Sequence, residues 1–438
     1  MLLKNILLAV FVLCSLLASA QFSVDEASQQ DYYKGSFLRL DNHNYRDNVR
    51  TVLLYPRGWP LSAPIIELND DNPLELHFDV LDSTLGNYMY SIIHCDHNWE
   101  QSELDIQEYL DGPPEYYLNG YAYSRNTYQR YIHYSLEIPN ITMRLTKSGN
   151  YVIRVYEEGD PDNLILTRRF CVSESKFTVE TKVHQATRVK ERYTHQEVDF
   201  TIKTGDYPLT NPYTDLKVVI IQNHTWETAL TGLQPRFVKG TELDYNYDGE
   251  NAFEGLNEFR FLDIKDTRFA GQGVEKVTYA NRENHAYKEQ DKSRAAVTYL
   301  QRIDINGWYY VKRDLVGAEA HMDADYVHVH FRLKQDYAHP DGDIYVYGAL
   351  TDWQIKPEAK MSFSQSDLEY QANLYLKQGL YNYCYAYVQD GQIRPDLTRF
   401  EGSHYETENE YTILVYHRPF GWDYDKLLGV GEFKYSNN

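Results

Sequence analysis

The only stretch that crowds metal-ligand residue types together is His94-Cys95-Asp96-His97. On a strand, alternate residues point to opposite sides, so His94 and Asp96 share one face while Cys95 and His97 share the other. At most two ligands then converge, whereas zinc takes three or four. The segment is expected to be a buried strand end with a structural cysteine. His328 and His330 share one strand face, but no acidic or Cys partner stands at ligand spacing beside them. Asp304-Ile305-Asn306-Gly307 echoes part of a calcium loop without its alternating oxygen ligands or closing Glu, and a turn is expected there. Gly-x-Ser-x-Gly, His-Glu-x-x-His, a P-loop and a Rossmann fingerprint are absent. With 64 Asp and Glu residues, no chosen pair of carboxylates is informative, because a glycosidase pair is recognised by its separation in space. No enzyme, no cofactor and no metal are expected.

What must position these residues is β structure. Of 438 residues, 41 are Tyr, a type whose ring packs on a half-buried strand face while its hydroxyl stays wet. Alternating segments at Val49–Tyr55, Leu74–Val80, Tyr88–Ile93, Tyr131–Ile138, Tyr151–Tyr156 and Leu164–Val172 read as strands. Turn signals at Asn72-Pro73, Ser148-Gly149-Asn150 and Gly159-Asp160-Pro161-Asp162 bound several of them. Together they predict a β-sandwich over 35–173. A second β domain is expected over 174–300, with strands at Gln196–Ile202, Leu216–Asn223 and 257–264 and a charged surface loop or short helix at 278–297. A third sandwich is expected over 301–433, where Asp325–Leu333 alternates strictly and Asp341-Gly342 turns into Asp343–Gly348. The fold class is thus all-β, tandem immunoglobulin-like or early-set sandwiches.

The N-terminus carries an address. Lys4, an apolar run from Ile6 to Leu17 and then Ala18-Ser19-Ala20 form a secretory signal over residues 1–20, with cleavage expected before Gln21. Bulky Leu13 before Cys14 argues against a lipoprotein signal. The apolar run is too short to span a bilayer of roughly 30 Å, and lipid insertion is not expected. Cleavage leaves Cys95, Cys171 and Cys384, an odd number that permits at most one internal bridge. Cys95 and Cys171 fall in one expected domain and are the pair to test. The net charge of −21 and the lack of a dense Lys/Arg run exclude a nucleic-acid groove.

Glu100–Arg130 interrupts the strand pattern with a run rich in Tyr, Gly and Pro, expected as a long ordered loop with a helical turn. Tyr109, Tyr116, Tyr117, Tyr121, Tyr123 and Arg125 make it the candidate partner-contact loop. The competing expectation is that the segment simply covers the first sandwich.

Two resemblances add to this reading. Gly348-Ala-Leu-Thr-Asp-Trp353, Gly379-Leu-Tyr-Asn-Tyr383 and Asp390-Gly391 resemble the early-set sandwiches that include starch- and glycogen-binding modules. That likeness implies a fold more than a ligand; in it Trp353 is either a packing residue or a sugar platform. A broader one rests on Tyr90-Ser-Ile-Ile-His-Cys-Asp96 with Trp99, Tyr109-Leu-Asp-Gly112, Ser124-Arg-Asn-Thr127, Ser148-Gly-Asn-Tyr151 and Arg168-Arg-Phe170, continuing through Gln222-Asn223, Trp226, Asn257-Glu-Phe-Arg260, Asp304–Gly307, Tyr381-Asn-Tyr383 and Glu406-Thr-Glu-Asn409. Over nearly the whole mature chain it resembles the plug protein family of the Bacteroidota type IX secretion system. The resemblance implies a non-enzymatic periplasmic protein, a monomer when free, that plugs the periplasmic mouth of a large outer-membrane translocon β-barrel when no cargo is engaged. The alternative is an exported glycan-binding protein using the C-terminal sandwich.

Overall fold

The computed structural model describes residues 37–82 and 84–436; the expected signal segment, 1–20, lies outside them. The chain is built from antiparallel sheets stacked as tandem β-sandwiches, with a few helical turns of three or four residues. In the first sandwich, Leu74–Val80 shows why. Leu74, Leu76, Phe78 and Val80 alternate with Glu75, His77 and Asp79, so one face is wholly apolar and enters the core. Each such buried side chain contributes about 1.5–3 kcal/mol relative to exposure. This strand pairs with Val49–Pro56 and Ile132–Ile138, and Gly120–Tyr123 adds to the edge. The facing sheet runs His43–Asn44, Asp160–Ser173, Gly149–Glu157, Tyr88–Cys95 and Glu115–Tyr117, with Ile65–Glu67 added in parallel to Asp160–Ser173. Tyr90, Ile92, Tyr134, Tyr151, Ile153 and Phe170 fill the space between the sheets.

A second core lies between the sheet of Thr178–Gln185 and His195–Lys203 and a sheet ordered Thr225–Thr231, Leu216–Gln222, Asn409–His417 and Lys426–Tyr435. Here the last two strands of the chain close a sheet begun two hundred residues earlier, Ile220 standing opposite Ile413. The third core, between Phe259 and Phe400, is enclosed by a sheet on Gly379–Gln389 and a five-stranded sheet through Tyr326–Lys334 and Glu369–Lys377. The expected loop or helix at 278–297 is strand in its first half and loop beyond Lys288. Val274–Ala280 and Glu283–Lys288 form a hairpin, and the latter pairs in parallel with Tyr326–Lys334. Its turn, Asn281-Arg282, has φ of 55° and 70°. A two-residue turn of that kind normally advertises itself with glycine, and Arg282 hides it.

The sandwiches are joined by packed surfaces. The outer face of the first, with Ile93, Cys95, Val152 and Cys171, meets Val219, Ile221, Leu414 and Tyr416 of the second in a separate apolar cluster. Leu53 and Tyr55, on the outward side of Val49–Pro56, belong to the third core. Beside them lies a buried polar junction. The Lys377 ammonium meets the Asp79 carboxylate at 2.5 Å, and the Tyr326 hydroxyl and His133 Nδ1 each reach the same carboxylate at 2.7 Å. Burial opposes the charge on Asp79, but Lys377 and His133 outweigh it and hold the carboxyl below its ordinary range.

Candidate docking face

Glu100–Arg130 is not a loop with one helical turn but a succession of short elements. A four-residue helix, Ile106–Tyr109, starts at Asp105, whose backbone N–H donates to Glu108, and leads into Leu110–Asp111, Glu115–Tyr117 and Gly120–Tyr123. The last two are edge strands, one on each sheet of the first sandwich. The segment therefore closes one side of the sandwich by stepping from sheet to sheet. Tyr116, Tyr117, Tyr121 and Tyr123 are 37, 48, 49 and 55% exposed. Tyr121 and Tyr123 point the same way, as i and i+2 residues must, with ring centroids 6.1 Å apart; Tyr116 and Tyr117 lie 6.2 Å apart. Exposed edge strands are ready to pair with another chain, and exposed tyrosines offer a large contact area with few rotatable bonds.

The other two residues of the expected contact loop go elsewhere. Tyr109 is 5% exposed, sits in the first core and donates its hydroxyl to the Ile92 carbonyl. Arg125 pairs with Asp323 at 3.2 Å, and its backbone N–H donates to the Met322 carbonyl. Next to it, the backbone N–H groups of Tyr128 and Gln129 donate to the two oxygens of Asp325. The end of the segment is thus clipped to the third sandwich, while its middle faces solvent. Tyr128, absent from the sequence-based set, is exposed and lies against exposed Tyr279 with centroids 4.6 Å apart. Its partner comes from the strand that the sequence pattern concealed.

The chemistry-bearing clusters resolve into architecture. Tyr88–Cys95 ends at Cys95, and Asp96 folds back to accept the N–H groups of Asn98 and Glu100. His94 lies between the Ser102 hydroxyl and the Ser148 carbonyl, and burial pushes its imidazole down to about 4. His97 is held by Asp425 at 2.8 Å. Asp304 accepts the N–H groups of Phe259 and Asn306, forming the expected turn with Gly307 at φ +81°. The Cys95–Cys171 bridge is not made: both cysteines are free and buried. Each pairs with Asn150, from opposite sides of the strand between them. Two strand spacings separate them, about 9.5 Å, beyond the roughly 7 Å that a disulfide can span. Cys171 donates instead to the Asn150 side-chain oxygen, which also accepts from Tyr416.

Trp353 is 7% exposed and packs edge-on against Phe259 and Tyr347. It borders a cavity of about 110 Å³ shared with Trp99, Trp226 and Trp308, smaller than the roughly 300–1,000 Å³ of ordinary ligand pockets. It is a packing residue, not a sugar platform on the surface. Among the described residues no helix is long and apolar enough to cross a membrane.

The architecture defines an all-β protein of tandem sandwiches, the first of which carries four exposed tyrosines on its edge strands. Residues 49–174 match the family model for the first domain of the type 9 secretion system plug protein. A crystal structure of a hypothetical protein from Parabacteroides merdae superposes with a TM-score of 0.87 at 32% identity, covering 91% of this chain and 100% of that one. A second P. merdae structure, of a DUF4466 family protein, gives a TM-score of 0.12 at 10% identity over 49% of this chain and 88% of that one, and carries no weight. No curated protein matches the chain. The chain belongs to the type 9 secretion system plug family. Membership implies a role as the translocon's plug, and a structural rather than catalytic protein.

Proposed function

We propose that this protein is a periplasmic stopper that binds the mouth of the type IX translocon β-barrel when no cargo is engaged, using the tyrosine-bearing edge strands Glu115–Tyr117 and Gly120–Tyr123 as a contact face. The observation that carries the reading is the grouping of Tyr116, Tyr117, Tyr121 and Tyr123, all solvent-facing, on the edge strands of a sandwich whose outer sheet faces both join apolar clusters with its neighbours. A stopper must resist deformation, and the apolar cluster around Val152 and Leu414 and the Asp79–Lys377 junction both brace it. With Trp353 buried, the glycan-binding alternative loses its aromatic platform.

The test is an affinity pull-down of the tagged mature protein from detergent-solubilised envelopes, with partners identified by mass spectrometry. One very large outer-membrane barrel is expected with the wild type and is expected to be lost when Tyr116, Tyr117, Tyr121 and Tyr123 are all replaced by Ser. Recovery of the barrel by the quadruple variant would show that the face lies elsewhere. No barrel with either protein, and retention of the wild type on a polysaccharide column, would sink the stopper reading.

A further inference from the structure

We propose that His77, His133 and His321 form a three-histidine site for a divalent transition metal of the zinc type, fastening the first sandwich to the third. The ligand atoms of the three side chains all lie within 4.8 Å of one another. His77 Nδ1 and His133 Nε2 are 3.1 Å apart, close to the separation of about 3.3 Å between two nitrogens bound tetrahedrally at 2.0–2.1 Å from zinc. The His321 ring stacks 4.2 Å from that of His77 and 4.9 Å from that of His133. His77 and His133 come from adjacent strands of the first sandwich, Leu74–Val80 and Ile132–Ile138. His321 comes from the helical turn Ala320–Asp323, just before the third sandwich's strand Tyr326–Lys334.

The surroundings fit ligand histidines. Metal-bound imidazoles usually donate their second ring nitrogen to a carboxylate, which fixes the tautomer. His133 Nδ1 lies 2.7 Å from Asp79, which leaves Nε2 as its ligand atom. With its ring proton on Nδ1, His133 turns the Nε2 lone pair toward His77 Nδ1, and an ion held between them requires His77 in the Nε2-protonated form. His77 and His321 are only partly covered, and water would be the fourth ligand of a tetrahedral ion held by the three rings. Lys377, the nearby cation, is turned to Asp79 and to the His321 carbonyl.

Among the described residues two other clusters bring His and carboxylates together, and both are accounted for without an ion. In one, Asp96 and Asp425 accept backbone N–H groups, from Asn98 and Glu100 and from His97. In the other, Glu197 accepts the N–H groups of Thr187 and Gly249, and Asp199 is bonded to His184 and Asn251. The facing nitrogens of His77 and His133 are engaged only with one another, at 3.1 Å, a contact whose place an ion would take.

The test titrates zinc chloride into the chelator-treated mature protein by calorimetry, alongside thermal melts, with cobalt(II) absorption as a reporter of coordination. One equivalent is expected to bind, to raise the melting temperature and to give the intense visible bands of four-coordinate cobalt. His321→Gln, at a partly exposed position, is expected to keep the metal-free melting temperature while weakening binding roughly tenfold or more. His77→Gln is the second variant, and His97→Gln and His184→Gln are expected to bind as the wild type does. Absence of one-to-one binding, or equal binding by His321→Gln and His77→Gln, overturns the proposal; so does loss of binding in His97→Gln or His184→Gln alone.

Discussion

Asp79 and Lys377 are 298 positions apart in sequence, yet their charges meet at 2.5 Å with each side chain 1% exposed. Asp79 lies on the outward face of a first-sandwich strand, Lys377 at the end of a third-sandwich strand. Removing one partner leaves the other buried and uncompensated. Lys377→Met is expected to destabilise the protein by roughly 3–5 kcal/mol, and Asp79→Leu by a similar amount. The double variant is expected to cost clearly less than the two singles summed. Urea unfolding of all four proteins gives the coupling, and simple additivity would mean that the pair does not act as a unit.

Gly307 permits the packing of Trp353. A Cβ at Gly307 would stand 2.1 Å from the Trp353 ring and 2.9 Å from Phe259, on a backbone with φ of +81°. Gly307→Ala combines overpacking with a left-handed alanine, and is expected to cost about 2–4 kcal/mol. A denaturation midpoint unchanged from wild type would disprove that account of the turn.

The three cysteines of the described chain are expected to be silent toward thiol reagents in the native protein. Cys95, Cys171 and Cys384 are buried, and burial pushes the thiols of Cys95 and Cys171 up to about 12. Few thiolates exist at neutral pH to react. A chromogenic disulfide reagent should find almost no thiol in the folded mature protein and three after unfolding in guanidinium without reductant. Finding one would mean that a bridge had formed.

His94 sets a pH dependence whose sign is fixed. Burial lowers its imidazole to about 4, against 6.5 in the unfolded chain. Between those values the unfolded state holds the extra proton, so this contribution is complete above about pH 6.5 and lost as pH falls toward 4. His94→Gln is expected to be less stable at pH 7 and to lose stability less steeply over that window. Parallel slopes for variant and wild type in urea melts at several pH values would count against the assignment.

How far these relationships could be read from the chain differs from element to element. The alternation in Leu74–Val80 is a direct imprint of one apolar face, and the strand has the predicted bounds. The opposite face, Glu75-His77-Asp79, has the pattern of a solvated surface. Nothing local shows that the third sandwich covers it, because the residues that do so, Lys377 and His321, are more than two hundred positions away. The hairpin at 274–288 was hidden for two reasons: its strands are charged because one is an edge, and its turn uses Arg282 where glycine is customary. In the candidate docking face, the abundance of tyrosine was legible. Which rings turn inward was not: Tyr109 ends a helix against the core, whereas Tyr116 to Tyr123 lie on edges. The same strand geometry that let His94 and Cys95 be assigned to opposite faces could not give the distance from Cys95 to Cys171, which depends on the strand lying between them.

The pairing of Leu216–Gln222 with Asn409–His417 also bears on how the chain matures. The first sandwich needs nothing beyond Ser173 to complete its sheets and can form while synthesis continues. The apolar strand Leu216–Gln222 has no such freedom. Its central neighbour does not exist until some 190 further residues have been made, and closing so large a loop is slow. Throughout that interval Val218, Val219, Ile220 and Ile221 are a sticky, half-paired ribbon, the segment on which a chaperone would act and from which aggregation of a truncated chain would begin.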